Sequence, residues 1–283
     1  MKILITGING QVGHALMQQL TEHELIGLTR KDCDLTNQDQ IKQVIDLHQP
    51  DLIINPAAYT KVDQAEGEPE LAFLINQDAP RVMALKAQEY NIPFIHFSTD
   101  YVFDGKEEVA YTEEDVTNPL GVYGQSKLAG EKSIQEVGGQ FYILRTSWVY
   151  SNIGQNFFLN MKRLSVEQKE IKVVADQIGV PTSNQFLAEQ VQQTIPQLNM
   201  SNIGIYHLVP DRACSWYEFA KVIITNTNPQ FNLENLYSIQ TNELLTKTQR
   251  PKNSVLNNAK IKLVFNLKLN DWQTVLEKIN NET

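Results

Sequence analysis

The sequence predicts an α/β fold: a doubly wound parallel sheet of Rossmann type with a smaller, partly interleaved C-terminal substrate-binding domain. Three observations carry this. Short, nearly continuous apolar runs rich in β-branched residues alternate with amphipathic stretches long enough to cross over a sheet. The first apolar run is followed at once by a glycine-rich turn that opens a helix. No run approaches the roughly 18 apolar residues of a membrane span.

The elements follow in order. Residues 2–6 (KILIT) read as a strand stopped by Gly7, and Val12, Ala15, Leu16 and Leu20 then share one face of a helix. ELIGLT, residues 24–29, is the second strand. The next helix spans 38–48, with Thr36 and Asp39 at capping-box spacing before it and Pro50 after it. DLIIN from Asp51, IPFIHFS over 92–98 and FYILRTS over 141–147 are further strands, separated by a helix around 70–90 and another from about Tyr123. Five strands joined by helical, right-handed crossovers make the dinucleotide-binding domain, residues 1–150. Beyond Trp148 the reading gives a helix over 157–164, a strand from Ile171, a helix from Gln185, a strand over 204–209, and otherwise irregular or helical chain. This stretch, 151–283, is mainly the substrate-binding domain, with segments near 171–195 returning to the first.

Composition excludes several function classes. Across 283 residues, 24 basic against 33 acidic side chains leave a net charge of −9, which argues against broad contact with nucleic acid or an anionic membrane. Cys33 and Cys214 are the only cysteines and stand outside any CxxC spacing, so neither a disulfide framework nor a cysteine metal site is expected, and a reducing cytoplasm is the default. Thr6, Gly7, Asn9, Gly10 and Gln11 interrupt the N-terminal apolar stretch before it can form a signal peptide. His14, His23, His48, His96 and His207 have no metal-ligand spacing, and none is assigned a catalytic role.

GINGQVG places Gly7, Gly10 and Gly13 between the first strand and the first helix, where dinucleotide phosphates bind. Gly7 permits the tight turn, Gly10 lets backbone N–H groups reach the pyrophosphate, and Gly13 lets helix and strand approach. The second strand ends in Arg30-Lys31, where an NAD site usually carries an acid. Two cations there suit a 2′-phosphate, so NADPH is the expected cofactor, with NADH as the alternative because Asp32 and Asp34 stand close by. Tyr123 and Lys127 lie four residues apart on one helix face. A cation about 5 Å from a phenol, at an effective dielectric near 20, favours the phenolate by roughly 3 kcal/mol, about two pK units. The spacing alone recurs by chance: Tyr217 and Lys221 repeat it beyond the nucleotide-binding core and are assigned to packing and surface. The third and fourth strands end in Ala57-Ala58-Tyr59 and Thr99-Asp100 at the same sheet edge, where ligands of open parallel sheets bind.

These residues resemble the extended short-chain dehydrogenase/reductases, and among them the dTDP-4-dehydrorhamnose reductase family. The segments concerned are GINGQVG, NPAAYTKVDQAE from Asn55, STDYVFDG from Ser98, NPLGVYGQSKLAGE from Asn118, RTSWVY from Arg145 and RPKNSVLN from Arg250. The resemblance implies that Tyr123 gives a proton to the C4 oxygen of the sugar, that Lys127 holds the nicotinamide ribose and tunes the phenol, and that Thr99 adjusts the tyrosine. It places Thr99, Asp100, Tyr123 and Trp148 on the deoxy-sugar and Arg250 on its diphosphate. It places Gln11, Val12, Arg30, Asp34, Leu35, Ala57, Ala58, Tyr59 and the backbone at Phe97 on the cofactor. Family dimers bridged by magnesium use acidic side chains, whereas Ala15 and Gln185 stand at two such positions, so no metal and a monomer or weak homodimer are expected. The rivals are a non-catalytic NADP-binding regulatory subunit, of the methionine adenosyltransferase beta type, and a nucleotide-sugar epimerase or 4,6-dehydratase.

Overall fold

Alternate residues of a β-strand face opposite sides, and in this chain both sides are apolar, so the sheet needs a helical layer on each. A computed structural model describes residues 1–243 and 248–281. Strands β1 (Lys2–Thr6), β2 (Glu24–Leu28), β3 (Leu52–Asn55), β4 (Phe94–Thr99), β5 (Phe141–Thr146) and a sixth, Gly204–His207, form one sheet. Its spatial order is Gly204–His207, β5, β4, β3, β1, β2, and every pair is parallel. Ile3, Ile5, Leu52, Ile54, Ile95 and Phe97 face one layer, which holds helix α1 (Gln11–Gln19) and the helix Asn184–Thr194. Leu4, Ile53, Phe94 and Ile143 face the other, which holds α2 (Gln38–His48) and the helices Ala79–Glu89 and Val122–Val137. The chain leaves β1 for β2 on one side and returns to β3 on the other. That reversal opens a crevice at the carboxyl ends of β1 and β3.

Several expectations are corrected. Asn37, not Thr36, caps α2: its side chain accepts from the N–H groups of Asp39 and Gln40, while the Thr36 hydroxyl is spent on Asp34. The single helix expected near 70–90 is Pro69–Phe73, a π turn at Leu74–Asp78 and Ala79–Glu89 in succession. Pro80 cannot donate to the preceding turn, and the wider π turn carries Asn76 to the place where the Tyr123 helix crosses. There a Cβ on Gly130 would stand 2.0 Å from the Asn76 carbonyl oxygen. Asn76 uses its side chain to hold Tyr59 by both backbone N–H and C=O.

The strand expected over 204–209 joins the large sheet as its sixth member, pairing from Gly204 with Tyr142 to His207 with Arg145. The segment 171–195 divides. Phe186, Leu187 and Val191 dock the helix Asn184–Thr194 on the sheet and α1, but Ile171–Val174 pairs in parallel with Leu236–Ile239. That partner strand lies in chain read as irregular or helical, because its middle residues, Tyr237 and Ser238, are exposed and break the apolar run. This pair packs with the helices Phe157–Glu167 and Trp216–Thr227 around Phe158, Ile171, Val173, Phe219 and Ile223. The second helix starts in a reciprocal capping box between Ser215 and Glu218.

One ion pair fastens the Tyr123 helix to the sheet. Arg145 of β5 meets Glu131 in a bidentate contact of 2.7–3.2 Å, and Ser98 of β4 donates to the same carboxylate at 2.5 Å. Both charged side chains are almost wholly inaccessible. Removing one partner of such a pair leaves a bare buried charge. Glu131→Ala is therefore expected to cost about 3–5 kcal/mol in denaturant unfolding. A loss below about 1 kcal/mol, the range of surface pairs, would show that the pair does not secure the helix.

Candidate active site

The first turn after β1 is shaped by close backbone approaches. Gly7 adopts φ +61°, and a Cβ there would stand 2.9 Å from that of Ala57. A Cβ on Gly13 would stand 2.4 Å from the Gly7 carbonyl oxygen, and Gly10 donates its N–H to that same oxygen at 2.9 Å. Gly10 caps α1 without a side-chain acceptor, and the first turn carries no acid. Its N–H groups and positive dipole end are thus left for an anion, which is what a dinucleotide pyrophosphate requires.

Beyond β2, a cavity of about 340 Å³ is lined by Thr29, Arg30, Asp34, Leu35, Ala57, Ala58 and Tyr59. Arg30 belongs to this lining and Lys31 does not. The exposed Lys31 ties its backbone N–H to the Thr29 hydroxyl and stands beside the cavity, outside its lining. The two neighbouring acids are engaged by threonines. Asp32 accepts from the Thr29 hydroxyl and N–H, which holds it below the usual carboxylate range, and Asp34 is lowered in the same way by the N–H and hydroxyl of Thr36.

A second cleft, about 700 Å³, runs from the glycine turn across the ends of β3, β4 and β5. It brings together Gly7, Gly10, Gln11, Val12, Gly13, Phe97, Thr99, Asp100, Tyr123, Lys127, Trp148 and Arg250. Gly124 lets the helix start sit on the turn after β4, since a Cβ there would be 2.2 Å from the Tyr101 carbonyl oxygen. Thr99 hydrogen-bonds the Tyr123 phenol, donates to Asp100 at 3.0 Å and accepts the Tyr101 N–H. Lys127 lies inside, donating to the Phe97 carbonyl at 2.6 Å. Gln11 bridges the two halves of the chain: its side-chain oxygen accepts from Ser151 and Asn156 and its carbonyl from Asn184.

Burial sets the charges here. It pushes the Tyr123 phenol above its ordinary value against the pull of Thr99, with Asp100 and Tyr101 adding to the rise. It pulls Lys127 down to about 8, opposed by Glu131 one turn along. The expected lowering of the phenol by Lys127 is not seen: the pull on the phenol comes from Thr99, and desolvation, which disfavours the ionised form of each group, prevails. Burial also lifts the Asp100 carboxyl to about 6, held from rising further by the hydroxyls of Ser254 and Thr99.

Sequence reasoning missed three features. His96 is buried behind Lys127, and a lone histidine in an apolar strand carries no spacing signal. Trp216 stacks on Trp148 with ring centres 3.6 Å apart. Its neighbours Tyr217 and Lys221 were read correctly as packing and surface, the phenol reaching the Leu236 carbonyl and the lysine lying exposed. Trp148 itself has φ +46°, and Gly179 lies so close beneath that a Cβ would stand 2.4 Å from the ring. A further cavity of about 810 Å³ opens beyond Trp216, lined by Asn160, Arg163, Lys172, Gln177 and Arg250. Arg250 lines both cavities and faces Asp63 at 3.6 Å.

Fold and site define a nicotinamide-dependent oxidoreductase of the short-chain dehydrogenase/reductase class, with a glycine cradle, a half-buried tyrosine one helical turn from a buried lysine, and an adjoining cationic cavity. The chain belongs to the RmlD substrate binding domain family, whose model matches residues 1–283. It is 39% identical over 292 residues to the dTDP-4-dehydrorhamnose reductase of Escherichia coli K12, across 100% of this chain and 98% of that one. It is likewise 39% identical over 287 residues to the enzyme of that name from Aggregatibacter actinomycetemcomitans, across 98% of each. The crystal structure of dTDP-4-dehydrorhamnose reductase from Bacillus anthracis in complex with NADP superposes with a TM-score of 0.94 at 38% identity, covering 100% of this chain and 99% of that one. Among the described residues, no helix is long and apolar enough to cross a membrane.

Asp100 makes folding pH-dependent. A carboxyl raised from 3.8 to about 6 contributes stability that is complete below pH 4 and lost as pH rises through 6. The loss is about 3 kcal/mol. Asp100→Asn removes it, so the stability of the variant relative to the parent should improve by about that amount between pH 4 and pH 7 in paired denaturant titrations. A difference that does not change between pH 4 and pH 7 would show that folding does not raise the Asp100 carboxyl.

Proposed function

We propose that this protein reduces the C4 ketone of dTDP-4-dehydro-L-rhamnose to the alcohol of dTDP-L-rhamnose with NADPH, the last step of dTDP-rhamnose biosynthesis. The observation that carries the reading is the position of the Tyr123 phenol, in a cleft that joins the glycine cradle at one end and the cavity of Arg163, Lys172 and Arg250 at the other. The names of the relatives support it. In a chain of net charge −9, cations gathered beside the cleft favour an anionic diphosphate.

NADPH, when bound, supplies the hydride. The chain's own residues do the rest. Gly7, Gly10 and Gly13 would bring the backbone to the pyrophosphate, and Arg30 would meet the 2′-phosphate beside Asp34, Leu35, Ala57, Ala58 and Tyr59. Thr99, Asp100 and Trp148 hold the sugar so that its keto oxygen faces Tyr123, and Arg250 meets the diphosphate. The neutral phenol is the form that can donate; a phenol is neutral at working pH, and burial raises it further. Its proton passes to the carbonyl oxygen as the carbon accepts hydride, and the Lys127 ammonium stabilises the phenolate until it regains a proton from solvent. Residues 1–150, with later segments added, bind the cofactor, and 151–283 mainly bind the nucleotide sugar. We place the activity in a cytoplasmic monomer or weak homodimer that takes a nucleotide sugar and needs no nucleic acid, membrane or metal partner.

The test is NADPH consumption with dTDP-4-dehydro-L-rhamnose generated in place from dTDP-glucose by the two preceding enzymes, with NADH in parallel. Appearance of dTDP-L-rhamnose supports the reading. Binding of NADPH without consumption would transfer it to a regulatory subunit. Tyr123→Phe should keep NADPH affinity and lose about 10²–10⁴-fold in kcat, the usual share of a proton donor. A near-parental rate would remove Tyr123 from that role. Arg30→Ala should weaken NADPH binding about tenfold or more in titration and leave NADH nearly unchanged, and equal losses for both would separate Arg30 from the 2′-phosphate.

A further inference from the structure

Behind Lys127 the sheet holds a buried polar chain. The Thr6 hydroxyl, at the end of β1, donates to Asn55 Oδ1 at 2.5 Å. Asn55 Nδ2 lies 3.1 Å from His96 Nδ1, and His96 Nε2 lies 3.2 Å from Lys127 Nζ, which donates to the Phe97 carbonyl at 2.6 Å. Asn55 and His96 are fully buried, and Thr6 and Lys127 are 2% exposed. The parallel register makes the chain: β3 sets Asn55 beside His96 of β4, and β1 ends in Thr6 next to them.

Protons can be counted along it. An amide nitrogen only donates, so Asn55 Nδ2 gives to His96 Nδ1, which must then be a lone pair. A neutral imidazole with a bare Nδ1 carries its hydrogen on Nε2, facing Lys127. Lys127 can accept it only as the neutral amine, since an ammonium has no lone pair. Every bond then runs one way, from Thr6 through Asn55, His96 and Lys127 to the Phe97 carbonyl. An ammonium at Lys127 demands the reverse order. Nε2 must be bare, Nδ1 must carry the hydrogen, and the Asn55 amide must turn so that its oxygen faces His96 and its nitrogen faces Thr6.

We propose that His96 is a positioning residue for Lys127: its tautomer and the Asn55 amide reverse together when Lys127 gains or loses a proton, so the imidazole offers the lysine a lone pair in one state and a hydrogen in the other. Its use in catalysis rests on the proposed reduction, in which the phenolate left by proton transfer needs a cation beside it. The groups around the pair are accounted for. His96 faces Asn55 on β3, the Phe94 ring at 6.1 Å on its own strand and Lys127 on the helix, and burial followed by Lys127 holds it well below its ordinary value. Lys127 faces His96 and the field of Glu131, whose carboxylate is engaged by Arg145 and Ser98, with Tyr123 and Asp100 on the cleft side. Lys127 is thus the member that titrates, and His96 stays neutral.

The test reads the tautomer directly. Long-range proton–nitrogen correlation spectra of the cofactor-free protein are recorded across pH, with the His96 signals identified by their loss in His96→Gln. The expected result is a neutral His96 throughout, with hydrogen on Nδ1 below about pH 8 and on Nε2 above it, crossing with Lys127. One tautomer at every pH, or an imidazolium, would overturn the proposal. Neither outcome depends on substrate, so a failed turnover assay leaves this reading standing and the reverse also holds. A kinetic arm adds a second readout. The glutamine amide can donate or accept where Nε2 stands and should keep the alkaline limb of kcat in place, whereas His96→Leu removes an acceptor from the ammonium and should move that limb about one pH unit lower. An unmoved limb in a folded His96→Leu protein would also overturn the proposal. If that variant does not fold, the spectra decide alone.

Discussion

An ammonium without access to water is the constraint around which this molecule is arranged. Lys127 sits between the sheet and the helix Val122–Val137, where a bare charge would cost several kcal/mol, so the surroundings must supply acceptors and opposing charge. The Phe97 carbonyl and His96 provide the first and Glu131 the second. Glu131 is itself buried and has to be satisfied by Arg145 of β5 and Ser98 of β4. Those bonds fix the helix across two strands, and the missing Cβ atoms of Gly124 and Gly130 allow it to come close enough. Tyr123 reaches Thr99 because this whole sequence of requirements has been met.

The second half of the chain completes the cleft rather than merely covering it. Asn184 and Asn156 reach Gln11 at the start of α1, so the glycine turn is tied to the substrate side by hydrogen bonds. Trp148 leaves β5 in a left-handed conformation and lies flat on Trp216, with Gly179 beneath. The stacked indoles form a rigid apolar wall where the cleft meets the cavity of Arg163, Lys172 and Arg250. Wall and cations together suit a ligand with an apolar deoxy-sugar edge and an anionic tail.

What was legible in the sequence is what backbone geometry dictates. Gly7, Gly10 and Gly13 were readable because a Cβ at two of them would overlap the neighbouring turn, and Tyr123 with Lys127 because helical spacing puts them on one face. The six strands of the large sheet were each visible as apolar runs, since buried parallel strands need no alternation. Features that depend on contacts between distant segments were not. Lys31 follows Arg30 in the chain, yet the turn closed by Asp32 on Thr29 sends only Arg30 to the cavity. Leu236–Ile239 has two exposed residues at its centre and becomes a strand only because Ile171–Val174 lies beside it. His96 looks like an interruption of FIHFST until β3 and the Tyr123 helix place polar partners on both ring nitrogens.

The same burial acts oppositely on the two groups that share the proton chemistry. It raises the phenol and lowers the ammonium, so each is driven toward its neutral form. For an oxidation, which needs a base, that would be a poor starting point. A reduction needs a tyrosine that holds a proton to give, as a phenol does at neutral pH, and the cost that burial adds falls on the phenolate left after the transfer. At that moment a cation beside the phenolate gains most, since the low dielectric that penalised each charge alone strengthens their attraction. Burial therefore makes the charge on the spent tyrosine costly, so a cation beside it matters most at that moment, and the polar chain behind Lys127 is the part of the fold able to meet the change in charge that follows.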